Sequence, residues 1–176
     1  GCTYIDTIPV DTLNILIANA GIDSSLCVGG CIDLIGTATG AINYTLEWFE
    51  VSNGVSTSLA LTDTLQYCPI FAELDILVLV ATDLNCSSAD TVEVLANPLP
   101  IVDAGFDYVE SSGTSIVIGG SPTADYGPYQ WTPTTNFTDT SGTEANPELT
   151  VISSQNYIVT VIDTNGCVNS DTVYVE

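Results

Sequence analysis

Six cysteines, at positions 2, 27, 31, 68, 86 and 167, are the residues of this 176-residue chain best equipped for covalent chemistry. A catalytic thiol needs a base such as histidine beside it, and the chain has no histidine. Six cysteines without histidine also speak against a zinc site. Lysine and arginine are absent as well, so no Schiff base can form and nothing cationic steadies an oxyanion. The chemistry left to the thiols is cross-linking in an oxidising compartment. Six cysteines allow fifteen pairings, and their number does not choose among them.

Carboxylates are the other candidates. All 22 charged side chains are Asp or Glu, for a net charge of −22. Carboxylate pairs can hydrolyse glycosides, but here they are spread over turns rather than gathered around one predicted cleft. An aspartic protease would want Asp-Thr-Gly, whereas every Asp-Thr here is followed by Ile, Leu, Val, Ser or Asn. The chain is therefore not expected to be an enzyme. Calcium is the cation that several oxygen ligands suit, and Asp103, Asp107, Asp163 and Asn165 are the candidate ligands. Asp163-Thr164-Asn165-Gly166 has the first half of an EF-hand loop. The same tetrapeptide is also a turn sequence tolerant of positive φ, and both readings stay open here.

The charge balance excludes other classes. Nucleic-acid binding and docking on an anionic membrane both rest on basic side chains. No run of 18 apolar residues is present, so no membrane-inserted helix is expected. Without Lys or Arg there is no ion pair between side chains and no trypsin site. Self-repulsion at this charge must be relieved by salt, divalent cations or a basic partner.

The elements that position these residues come from a repeat. GCTYIDTIPV at Gly1, NCSSADTVEV at Asn85 and GCVNSDTVYV at Gly166 share C-x-x-x-D-T-[IV]-x-V. NAGID at Asn19 and DAGFD at Asp103 follow the first two copies, with Ala20 and Ala104 each 18 residues after the cysteine. The copies are 84 and then 81 residues apart, a register that shared composition would not hold. The layout is a closing strand of a preceding repeat plus linker over 1–18, then full repeats over 19–100 and 101–176. The opening stretch, with no initiator Met, reads as part of a longer, processed protein. Short runs of Val, Ile, Leu, Thr and Tyr between Gly, Asn, Asp and Ser clusters predict strands. They fall near 31–36, 42–51, 57–61, 65–70, 74–82 and 90–95, then near 114–119, 127–132, 148–152, 156–163 and 169–175. No segment has capped helical periodicity. One Trp per full repeat, Trp48 and Trp131, and about 80 residues of short strands describe an all-β chain of tandem immunoglobulin-like sandwiches. Both tryptophans are expected in the core.

At this point the sequence resembles a known class. YIVTVIDTNGC at 157–167 followed by SDTVYV, the A-G-x-D at 104–107, Trp131-Thr132-Pro133 and Asn146-Pro147 are similar to the PKD-like and Ig-like repeats of Bacteroidetes surface proteins. Such repeats occur in large secreted adhesins associated with gliding motility and exported by the type IX pathway. The resemblance covers 101–176 closely and 19–100 more loosely. It implies a stalk, surface fibre or adhesin at the bacterial cell surface, with neighbouring repeats or identical subunits as partners. Two alternatives remain: a filament subunit joined by strand addition, and a module that binds glycan or protein. The resemblance also implies a Cys27–Cys86 disulfide, because in similar repeats the cysteine after A-G-x-D pairs with that of the final hairpin. Cys31 and Cys68 then pair within the same repeat. Ser111 stands where Cys27 stands, so Cys167 loses its expected mate; Cys2 and Cys167 are read as unpaired or inter-chain. The Asp-Thr-aliphatic triplets resemble a Bacteroidetes O-glycosylation sequence, with Thr7, Thr12, Thr64, Thr91 and Thr172 as acceptors, although Thr is also simply favoured in strands.

Overall fold

The structure, a computed structural model, describes Thr3 and residues 15–176. Cys2, Thr7, Thr12 and most of the 1–18 strand lie outside the described residues. The described chain contains strands and turns and no helix. None of it is long and apolar enough as a helix to cross a membrane.

The chain divides into two compact units. The first comprises the residues up to Ser24, Cys31–Tyr67 and Leu74–Val94; the second comprises Ser25–Gly30, Cys68–Glu73 and Leu95–Glu176. In the order of the chain the strands are β1 (Ile17–Asn19), β2 (Ser24–Cys27), β3 (Ile32–Ile35), β4 (Thr37–Thr39), β5 (Thr45–Ser52), β6 (Val55–Ala60), β7 (Thr64–Tyr67), β8 (Leu74–Thr82) and β9 (Ser87–Asn97). They continue as β10 (Ser115–Val117), β11 (Tyr129–Thr132), β12 (Glu148–Thr150), β13 (Gln155–Ile162) and β14 (Val168–Val175).

The largest sheet runs β2-β9-β8-β5-β6, of which β5, β6, β8 and most of β9 belong to the first unit, as do the two-stranded ladders β1-β4 and β3-β7. Alternation decides the faces, since successive side chains of a strand point to opposite sides. Leu77, Leu79 and Ala81 of β8 and Val92 and Val94 of β9 are buried, with Trp48 of β5 fully buried. Gly36 sits so close to this core that an added Cβ would fall 2.6 Å from a Leu79 methyl and 3.0 Å from the Trp48 ring. From the smaller ladders, Ala18, Leu34, Ala38 and Leu65 are also buried.

The second unit is a sandwich of a β10-β12 ladder and a β11-β13-β14 sheet. Ile116 and Leu149 from one layer meet Trp131, Tyr157, Val159, Val161, Val173 and Val175 from the other in a single apolar cluster. Tyr157, Val159 and Val161 share the inner face, as their spacing predicts, while Ile158 and Ile162 point out. Phe137 fills the space between two rings, edge-on to Trp131 at 6.4 Å and stacked on Tyr157 at 5.3 Å. The molecule is all-β, with immunoglobulin-like sandwich packing.

Candidate functional site

The two repeated sequence markers turn out to be halves of one joint. In the earlier copy, the backbone N–H of Ala20 donates to the Asp90 carboxylate at 2.8 Å. In return the Glu93 N–H donates to the Asp23 carboxylate at 2.9 Å. The later copy repeats both bonds: Ala104 N–H to Asp171 at 2.8 Å and Tyr174 N–H to Asp107 at 2.8 Å. The first side chain of each marker caps its own glycine, Asn19 at 2.9 Å from the Gly21 N–H and Asp103 at 2.8 Å from the Gly105 N–H. Both glycines have positive φ, 96° and 86°, a region that L side chains rarely adopt. The alanines are buried at 1% and 0% exposure, where a larger side chain would have no room. A-G-x-D therefore docks against D-T-V-x-V by two charge-assisted bonds per repeat, each of a kind that contributes about 1.5–3 kcal/mol.

This joint accounts for most of the singled-out carboxylates. Asp107 and Asp103 hold backbone N–H groups as just described. Asp163 accepts the N–H groups of Asn165 and Cys167, both at 2.8 Å, which is the turn reading of Asp-Thr-Asn-Gly. Asp83 does the same for Asn85 and Cys86 at 2.8 and 2.7 Å. Asp163 and Asn165 line a cleft of about 270 Å³ with Asp125, Tyr126 and the Pro98–Ile101 linker. Among the described residues no three His, Cys, Asp or Glu side chains converge in a way that could hold a metal ion. Thr64, Thr91 and Thr172 are exposed on their strands.

The cysteine pairing differs from the expectation. Cys27 is bonded to Cys167, with Cα atoms 5.6 Å apart, not to Cys86. The reason lies in β2, a strand that the sequence reading left out. It runs beside β9 in the same direction, as the Asp23–Glu93 bond and the Val28 N–H donated to the Asn97 carbonyl at 2.9 Å show. Cys27 thus lies at the far end of β9, while Cys86 precedes its first residue. An 11-residue strand spans about 35 Å at ~3.3 Å per residue, far beyond the reach of a disulfide. Cys167, expected to be unpaired or inter-chain, is bonded and fully buried. Cys86 is a free, exposed thiol. Cys31 and Cys68 are both disulfide-bonded, and the β3-β7 ladder, which sets Ile32 opposite Tyr67, ends one residue short of each.

One further group has an unusual setting. Burial raises the pKa of the Tyr67 phenol, and its hydrogen bond to Glu50, at 2.8 Å, and the nearby Asp75 raise it further, well above the ordinary tyrosine value.

No family model matches the chain, and no curated protein matches it. Solved structures similar to it include Drosophila OTK extracellular domains 3–5, at 15% identity and a TM-score of 0.38, covering 88% of this chain and 58% of that one. The chain thus spans little more than half the length of that structure. A human KIAA0319 PKD domain aligns at 17% identity and a TM-score of 0.40, over 47% of this chain and 81% of its own. The two immunoglobulin domains of DIP-gamma align at 10% identity and a TM-score of 0.44, over 88% of this chain and 93% of theirs.

Proposed function

We propose that this chain is a structural and adhesive segment of a large extracellular repeat protein, of the kind that Bacteroidetes display at the cell surface through type IX export, and that it acts as a stalk or surface fibre. The observation that carries this reading is the Cys27–Cys167 bond. It joins the turn after one A-G-x-D marker to the closing hairpin of the following repeat, across 140 residues. A link of that length, with both of its ends in the second unit, closes most of the chain into one covalent loop and shields that loop from extension under load. Disulfides also favour an oxidising, extracellular compartment. A Cys31–Cys68 bridge, O-linked glycans on the exposed Thr64, Thr91 and Thr172, and calcium at the acidic turns belong to the same proposal. Peptide mapping, intact mass of the natural protein and melting with chelator read these three directly.

Pulling a single chain by its ends tests the mechanical reading. A fully extended residue spans about 3.5 Å, so the bond should conceal roughly 490 Å of contour that reductant releases. Equal contour lengths with and without reductant would remove the basis of the proposal.

A second reading, assembly into filaments by strand addition, is favoured by β6. It is an edge of the five-stranded sheet, exposed along nearly its whole length, and carries neither Lys nor Pro to discourage pairing. Ordered polymers of the wild-type chain in the electron microscope would support it.

A further inference from the structure

The Cys27–Cys167 bond has two halves, and each half occurs twice in the chain. The turn half is Cys27, whose carbonyl accepts the Gly30 N–H at 3.0 Å, with Gly29 at φ 82°. The same turn recurs at Ser111, whose carbonyl accepts the Thr114 N–H at 3.0 Å, with Gly113 at φ 92°. The hairpin half is Cys167, whose carbonyl accepts the Asp163 N–H at 2.9 Å while its own N–H donates to that carboxylate. Cys86 stands in a matching hairpin one residue shorter, without the glycine: its carbonyl accepts the Asp83 N–H at 3.0 Å and its N–H donates to the Asp83 carboxylate. The later repeat thus serves as the comparison for the earlier one. There the hairpin cysteine is bonded and fully buried; in the earlier repeat it is free and exposed. Beside it Leu84 is 98% exposed, and Tyr44 and Asp83 help line an open cleft of about 380 Å³.

We infer that Cys86 is the hairpin half of a second bond of this kind, and that its partner is the turn cysteine of another repeat of the same type, supplied from outside residues 15–176. The inference rests on the function proposed above and specifies its partner. Ser111 cannot supply that cysteine, and Cys27 is already engaged. The polarity follows from the complete bond: the turn of one repeat closes on the hairpin of the next. Formation of the bond removes one proton and one electron from each thiol. A disulfide oxidant, such as oxidised glutathione or an oxidised dithiol of an oxidoreductase, takes up both electrons as its own S–S bond breaks.

The test gives the chain the missing half. Ser111 is exposed, so Ser111→Cys should fold as the wild type does, checked by an unchanged melting curve. In a glutathione redox buffer this variant should form a ladder of disulfide-linked dimers, trimers and longer chains on non-reducing gels, at least tenfold above wild type. Peptide mapping should place each link between Cys86 and the cysteine introduced at position 111 of another molecule. Adding Cys86→Ser should abolish the ladder. A Ser111→Cys chain as monomeric as wild type overturns the inference. So do links through Cys2, links joining two copies of Cys86, or a link closed within one molecule. Failure here with the reductant-dependent contour length intact would leave the stalk reading standing and remove this partner alone.

Discussion

Trp48 and Trp131 occupy matching places in the two repeats, each fully buried on the strand that begins the middle of its fold. Their surroundings differ. The indole N–H of Trp131 donates to the Glu144 carbonyl at 3.0 Å, from the long loop that precedes β12. That of Trp48 is buried without an acceptor among the described residues, in a repeat where β5 continues instead into the β5-β6 hairpin, through a register shift between Trp48 and Phe49. The joint between A-G-x-D and D-T-V-x-V, by contrast, is reproduced bond for bond in the two copies. The ends of the repeat are held by specific carboxylate–backbone pairs. The middle is held by apolar packing, which accepts different strand arrangements provided that volume and alternation are kept.

The comparison can be broken at three places. The largest effect is expected from the cysteines. Cys27→Ser removes a closed loop of 140 residues, which the chain-entropy account values at up to about 5 kcal/mol. Cys86→Ser should leave the denaturation midpoint of the isolated chain unchanged. Equal losses for the two variants would contradict the division between engaged and free cysteines.

The joint comes next. Asp90→Ala and Asp171→Ala should each cost about 1.5–3 kcal/mol, because a buried backbone N–H loses a charged acceptor. Asn at either position keeps an acceptor oxygen and should cost less than half as much. Urea denaturation of the four variants gives the values, and a large gap between the two positions would mean that the joints are not equivalent.

The smallest effect separates the tryptophans. Trp131→Phe leaves the Glu144 carbonyl without its donor, whereas Trp48→Phe removes a donor that has no partner among the described residues. Trp131→Phe should therefore be the more damaging by about 1 kcal/mol, read from the same denaturation curves. The reverse order would show that Trp48 has an acceptor.

Period-two alternation makes β8, β9, β13 and β14 legible in the sequence, because their buried residues recur at every second position. β2 is not legible in this way. Ser-Ser-Leu-Cys is short and only half-buried, so no alternation marks it, and its parallel run beside β9 depends on the Asp23 and Asn97 contacts formed after folding. The disulfide assignment failed with it. Which end of β9 Cys27 reaches is a matter of strand direction, which cysteine spacing does not encode. The markers themselves were plain as a repeat. That Asp23 and Asp107 meet backbone N–H groups some 70 residues downstream is visible only once the strands are paired.

The position of the Cys27–Cys167 bond also bears on what damage does to the molecule. A single backbone cut anywhere between those cysteines, for instance at the exposed Asn53-Gly54 turn, divides the chain into two peptides that remain one covalent object. Chain scission and loss of the distal part become separate events. The second requires a further cut outside the enclosed stretch, or reduction of a sulfur pair whose Cys167 end is sealed from solvent.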